Sequence, residues 1–267
     1  DPGPKNQALP AASRTSRSGK GRAPCPGSCA GPSLRSARKY AIEAPMFTSD
    51  IAAKISYLAV AFVPVLLGII LHEVAHGWAA LRCGDPTARM LGRLTLNPLP
   101  HIDPAGTAVF VFTALFSPFV FGWAKPVPVN PRHFRNYRKG MLLVSAAGPL
   151  TNMALAMLFA VALRLLLFAP AEFLMHTSTG KFLLEMCQIG ISANFALAWI
   201  NLLPIPPLDG GRILEMLLPG QISLQFQRVE RYGFLVLVLL LASGLASSIL
   251  LPLIRGSWNF ALWIVGI

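Results

Sequence analysis

Charge is what this sequence has least of. Only 13% of its 267 residues are Asp, Glu, Lys or Arg, against about 25% in an ordinary soluble protein. Acidic residues are the scarcer sign, 11 against 23 Lys and Arg. Too little charge is present to clothe a soluble globular surface, and what there is lies between apolar blocks. Cysteine is scarce too. Cys25 and Cys29 sit in a Pro/Gly/Ser-rich stretch with no second pair nearby, so they do not make a zinc ribbon. Cys83 and Cys187 are isolated and read as small apolar side chains. No disulfide framework and no internal repeat is visible.

The formal net charge of +12 is unevenly spread, since residues 1–45 hold eight Lys/Arg and two acids, or +6. That stretch is rich in Pro, Gly, Ser and Arg and cannot bury a core, so it reads as a disordered basic extension. It has no continuous apolar core of the kind a secretory signal needs. The first methionine is Met46, and the expectation is that 1–45 precede the natural start while 46–267 form the working domain. The remaining basic residues lie in short loops, where membrane topology accounts for them. No folded basic module is present, so no nucleic-acid partner is expected.

What is abundant is apolar sequence: 54% of the chain is hydrophobic. A bilayer-spanning helix needs roughly 20 predominantly apolar residues. Four segments qualify, at about Ile55–Ala80, Met141–Phe168, Phe182–Leu203 and Phe234–Ile254. A fifth, Thr107–Trp123, is shorter and carries Ser117-Pro118. Proline removes a backbone donor and breaks a helix, so this segment reads as re-entrant or broken. Lys125-Pro-Val-Pro-Val-Asn-Pro131 cannot be helical and reads as a small extended surface element over about 124–131. The expected fold is therefore an all-α polytopic membrane protein with four long transmembrane helices, multi-pass in the cell membrane.

One short pattern carries chemistry. His72-Glu-Val-Ala-His76 lies in the first apolar helix. Residues four apart project from one helical face, so two imidazoles can share a metal, with Glu73 beside them as a general base. Imidazole suits zinc, and also copper, iron or nickel. Ionisable groups at membrane depth are costly and usually functional. A catalytic zinc needs a third protein ligand and an open position. The candidate is Asp209, in Asn201-Leu-Leu-Pro-Ile-Pro-Pro-Leu-Asp-Gly-Gly211. Three prolines break the helix there, and irregular backbone at membrane depth survives only inside protein or along a cavity. The alternative is a capping Asp in an interfacial turn. A third element, Ala147-Gly-Pro-Leu-Thr-Asn152, opens another apolar helix. Asn152 there is either packing glue between helices or a contact to the substrate or oxyanion.

Together these motifs resemble the site-2 protease family of intramembrane zinc metalloproteases. The features are H-E-x-x-H at 72–76, G-P-x-x-N at 148–152 and N-x-x-P-x-x-P-L-D-G at 201–210, in the family's order. Asn97-Pro-Leu-Pro-His-Ile-Asp-Pro104 and Lys125-Pro-Val-Pro-Val-Asn130 resemble its compact bacterial-type branch. The resemblance implies one Zn2+ per chain on His72, His76 and Asp209, with Glu73 as general base and Asn152 as a transition-state or substrate contact. It also implies that the substrates are membrane proteins cut in or near their transmembrane helices within the lipid bilayer. Many relatives insert a PDZ domain or append CBS domains; the connector between about Phe168 and Phe182 is too short for one. His101 and Asp103 fall in the proline-flanked loop and carry a structural or auxiliary role on this reading, because three ligands already complete the set. His133 and His176 are expected to face solvent.

Loop charges give an orientation. Arg82, Arg89 and Arg93 follow the first helix, while Lys125, Arg132, Arg135, Arg138 and Lys139 precede the second. If both loops are cytoplasmic, Thr107–Trp123 must return to the side it left, and the metal site lies near the cytoplasmic face. Two other classes compete with a protease: a relative that binds zinc without cleaving, and a metal transporter with broken helices.

Overall fold

The computed structural model describes residues 51–116 and 122–267. Among them there is no strand. In chain order the helices are α1 (Ile51–Cys83), α2 (Thr87–Met90), α3 (Pro104–Phe116), α4 (Tyr137–Leu166), α5 (Ala171–His176), α6 (Ser178–Asn201), α7 (Asp209–Leu217), α8 (Gly220–Ala242) and α9 (Leu245–Val265). Four are long and apolar enough to cross a membrane: Ile55–Cys83, Tyr137–Leu166, Ser178–Asn201 and Leu245–Val265. Residues 1–45, the Met46 start and Ser117-Pro118 lie outside the described residues.

α1, α4 and α6 pack pairwise against one another, and α9 and α7 lean on this trio. The seam is lined by small side chains. Ala156 and Ala160 on α4 meet Cys187, Ile191 and Phe195 on α6 and Ala261 on α9. Small residues let apolar helices approach closely where lipid offers no hydrophobic drive for association. Large apolar residues point outward: Phe62, Leu143, Leu150, Leu158 and Trp263 are all exposed. The buried polar side chains include His72, Asn152, Asn194 and Asp209, a small polar group inside an otherwise apolar bundle.

The re-entrant expectation for Thr107–Trp123 holds in the described part. α3 has 13 residues, about 20 Å of helix at ~1.5 Å per residue, too short for a hydrocarbon core of about 30 Å. The chain comes back along it. A Cβ on Gly106 would sit 2.1 Å from the Trp123 carbonyl, and one on Gly122 would sit 2.6 Å from Phe110 Cβ. Lys125 N–H then donates to His101 O at 2.9 Å, at the level where the hairpin began.

The fourth span differs from its expected limits. The run at Phe234–Ile254 is divided at Gly244, which adopts a left-handed φ of 73°. α8 ends before it and α9 begins after it, so the spanning helix is Leu245–Val265 rather than Phe234–Ile254. Composition is uniformly apolar across this turn, and a window of hydropathy cannot see a single residue in αL.

Candidate metal centre

The site is assembled from α1, α4 and α7. His72 and His76 are one turn apart on α1, with ring centroids 4.6 Å apart and planes at 87°. Asp209 is the first residue of α7, where the chain turns back after α6. The turn can be this tight because glycines follow. A Cβ on Gly210 would lie 2.3 Å from Leu202 O, and one on Gly211 would lie 2.6 Å from Pro206 N. Asp209 Oδ2 consequently reaches 3.2 Å from His72 Nε2 and 3.3 Å from His76 Nε2. The two Nε2 atoms are 3.0 Å apart.

Proton placement explains why these three atoms call for a cation. His72 Nδ1 lies 2.6 Å from Asn152 Oδ1, and His76 Nδ1 lies 2.7 Å from Val144 O. Both partners are carbonyl oxygens and can only accept, so each Nδ1 carries the hydrogen. In neutral imidazole the other nitrogen is then a bare lone pair. In that tautomer two lone pairs and a carboxylate oxygen converge on one point. Asp209 Oδ2 is buried and has no hydrogen-bond partner, a costly condition unless a positive charge fills the centre. An N2O donor set with both imidazoles oriented from behind fits a divalent metal such as zinc. Among the described residues, His72, His76 and Asp209 form the one cluster of this kind.

The backing of the two rings is equally close. Gly148 on α4 lies directly against them: a Cβ there would be 2.5 Å from His72 Cε1 and 2.6 Å from both His76 Cε1 and Nε2. Its place in G-P-x-x-N is thus explained by contact with the ligands. Asn152, one turn further on, is 0% exposed. Its Oδ1 accepts from His72, while its Nδ2 donates to Gly68 O at 3.2 Å and to Asn194 Oδ1 at 3.0 Å. The carboxamide expected to contact substrate lies behind His72, with its oxygen and both amide hydrogens on protein partners.

Glu73 is half-buried, and its Oε2 accepts the Val127 N–H at 2.8 Å. Val127 lies in the extended 124–131 element, in which Pro126 and Pro128 offer no N–H. Arg93, itself buried, donates through Nη2 to Lys125 O at 2.8 Å and Pro126 O at 3.3 Å. One peptide unit, 126–127, therefore has its carbonyl on a guanidinium and its N–H on Glu73. The far end of the element is tied to Asp85, which follows α1 and is 0% exposed. Asp85 accepts from the Asn130 N–H at 2.6 Å, His133 Nδ1 at 3.0 Å, the Thr87 N–H at 3.0 Å and the Thr87 hydroxyl. Burial pushes the Asp85 carboxyl up, but the Thr87 hydroxyl, His133 and the Asn130 and Thr87 amides outweigh it and hold the group at about 2.

Among the described residues, the other histidines belong to no metal-ligand cluster. His101 is buried, with Nε2 3.0 Å from Thr95 O, and Asp103 Oδ1 accepts from the Gly106 N–H at 2.8 Å at the start of α3. Both serve the loop. His176 and His133 are both exposed as expected, and His133 also places its Nδ1 3.0 Å from Asp85 Oδ1. Sequence reading missed Val127, Arg93 and Asn194. Only Asn194 left a signal, as an amide in the middle of an apolar helix.

The chain matches the model of peptidase family M50 over residues 171–243. It is 40% identical over 193 residues to "Putative zinc metalloprotease YwhC" of Bacillus subtilis, covering 72% of this chain and 84% of that protein. It is 31% identical over 199 residues to "Putative zinc metalloprotease Rip2" of Mycolicibacterium smegmatis, covering 72% and 71%. The Mycobacterium tuberculosis protein of that name is 35% identical over 177 residues, covering 66% and 63%. No solved structure matches.

Proposed function

Because the chain belongs to peptidase family M50, we propose that it is an intramembrane zinc metalloprotease that hydrolyses peptide bonds in or near transmembrane segments of other membrane proteins. The observation that carries this reading is the convergence of His72 Nε2, His76 Nε2 and Asp209 Oδ2 at 3.0–3.3 Å, with both Nδ1 atoms turned to carbonyl oxygens. These three residues would hold one zinc ion. Zinc, when bound, supplies a water of lowered pKa and polarises the scissile carbonyl.

The protein's own groups do the rest. Glu73 accepts a proton from the attacking water and delivers it to the leaving amine. The Val127 N–H fixes the carboxylate that performs this transfer. Asn152 acts as a positioning residue for His72 rather than as a substrate contact. A substrate helix has to unwind locally before its backbone can be cut, so helix-breaking residues favour cleavage. The Arg and Lys residues of the loops after α1 and before α4 support a cytoplasmic position for this end of the site, within a single domain spanning 46–267.

The test uses the full chain purified with zinc and a model transmembrane substrate. Glu73→Gln should retain zinc and lose cleavage by a factor on the order of 10²–10⁴. Undiminished cleavage by that variant would refute the assignment. Stoichiometric zinc without cleavage by wild type, across several transmembrane substrates, would favour a binding-only protein.

A further inference from the structure

Asn194 sits midway along α6, in the sequence Gly190-Ile-Ser-Ala-Asn194, and is 0% exposed. A lone carboxamide at that depth has to place its amino group and its oxygen on partners of opposite kind. Its Nδ2 donates to Gly190 O at 2.8 Å, one turn back in its own helix. That bond leaves Oδ1 to face α4, where it accepts from Asn152 Nδ2 at 3.0 Å. The second hydrogen of Asn152 Nδ2 goes to Gly68 O at 3.2 Å. With its amino group committed twice, Asn152 can offer only Oδ1 to His72, at 2.6 Å.

The donors therefore all run one way, from His72 to Asn152, from Asn152 to Asn194, and from Asn194 to a main-chain carbonyl of α6. Neither amide can be reversed without setting like against like. Aligned bonds of this kind polarise one another in a low-dielectric interior. The far end of the chain is a fixed backbone carbonyl, and the near end is the tautomer of a metal-ligand imidazole. α1 makes room for it. A Cβ on Gly68 would lie 2.4 Å from Asn194 Oδ1 and 3.3 Å from Asn152 Nδ2, so the glycine one turn before His72 admits the α6 carboxamide.

We propose that Asn194 is a positioning residue of the metal centre: by fixing the orientation of Asn152 it sets the tautomer and ring angle of His72. This rests on the metal-site reading above. A simple packing role for the Asn152–Asn194 pair would affect helix association and leave metal affinity alone, so affinity separates the two.

The experiment titrates zinc alone into the full-length protein in detergent, in competition with a chromophoric chelator, and records the visible spectrum of the cobalt form. Partners behind a ligating histidine typically change metal affinity by about 10–100-fold. Asn194→Leu, which keeps the branching and number of side-chain heavy atoms but has no hydrogen-bonding atoms, should weaken zinc by about 10-fold, the lower end because Asn194 acts one bond further out. The cobalt bands should shift, and the melting temperature of the metal-free protein should fall only modestly, as Asn152 Nδ2 loses one buried partner. Asn194→Asp in its neutral form keeps an oxygen toward Asn152 and an O–H toward Gly190 O, and should recover most of the affinity. Gly68→Ala displaces the same Oδ1 without altering Asn194 and should weaken zinc in the same direction. Wild-type affinity in a folded Leu or Ala variant overturns the inference, as does an Asp variant no better than Leu or a loss that merely tracks melting temperature. A wild-type chain that takes up no zinc overturns the metal-site reading and this inference with it.

Discussion

Gly148→Ala is a one-carbon perturbation aimed at the centre of the site. The added methyl would stand 2.5 Å from His72 Cε1 and 2.6 Å from His76 Cε1 and Nε2. Ordinary contacts at such atoms begin near 3.4 Å, so roughly an ångström of relief has to be found. α4 cannot give it, being a 30-residue helix packed on α1, α6 and α7. The rings cannot swing freely either, because their Nδ1 atoms are held at 2.6 and 2.7 Å by Asn152 and Val144. Metal–ligand distances tolerate only about 0.2 Å, so both imidazoles must leave optimal position together. Disturbing a partner behind one ligand already costs about 10–100-fold in affinity. Displacing two ligands should cost at least about 100-fold, or roughly 3 kcal/mol at ~1.4 kcal/mol per tenfold. The assay is zinc competition against a chelator, with circular dichroism to confirm helicity. Gly256→Ala is the control, since a Cβ there meets nothing within 4 Å, and its affinity should stay within about twofold of wild type. A folded Gly148→Ala protein that binds zinc within about threefold of wild type, well short of that expectation, would refute the packing argument.

Two further outcomes follow from the extended element over Glu73. Arg93→Met removes the donor to Lys125 O and Pro126 O and frees the peptide whose N–H holds the general base; cleavage should fall about 10-fold or more, with zinc affinity unchanged in the chelator assay. A parallel loss of zinc would instead place Arg93 in the stability of the metal site. Asp85→Asn should destabilise the fold by roughly 2 kcal/mol near neutral pH, from about 1.4 kcal/mol per pH unit and a carboxyl lowered from 3.8 to about 2. A lowered carboxyl contributes stability that is present above about pH 4 and lost as pH falls toward 2. The wild-type advantage in melting temperature over Asp85→Asn should therefore shrink across that interval, and an advantage independent of pH would count against the carboxylate.

Several features of this protein are local properties of the chain, which is why they were legible without a fold. Two histidines four residues apart share a helical face wherever that helix goes, so His72 and His76 could be paired at once. Apolar runs of sufficient length announce membrane spans by composition, and three of the four expected spans overlap the observed helices closely. Prolines at 204, 206 and 207 end a helix for covalent reasons, which marked Asp209 as the exit of a broken segment. The re-entrant or broken reading of Thr107–Trp123 rests on its shortness and on Ser117-Pro118, both also local.

Tertiary structure decided the rest, because it depends on atoms far apart in sequence. Asn152 lies 80 residues from His72 and 42 from Asn194, and whether its amide faces substrate or ligand depends on how α1, α4 and α6 close around it. The Val127 N–H meets Glu73 across 54 residues, through an element whose composition predicts only that it is extended. The split at Gly244 depends on one backbone dihedral inside an apolar run. The sequence alone thus determined which residue types could bind a metal. Only packing set each Nδ1 against a carbonyl oxygen, and that turns both Nε2 atoms and a carboxylate oxygen toward one point.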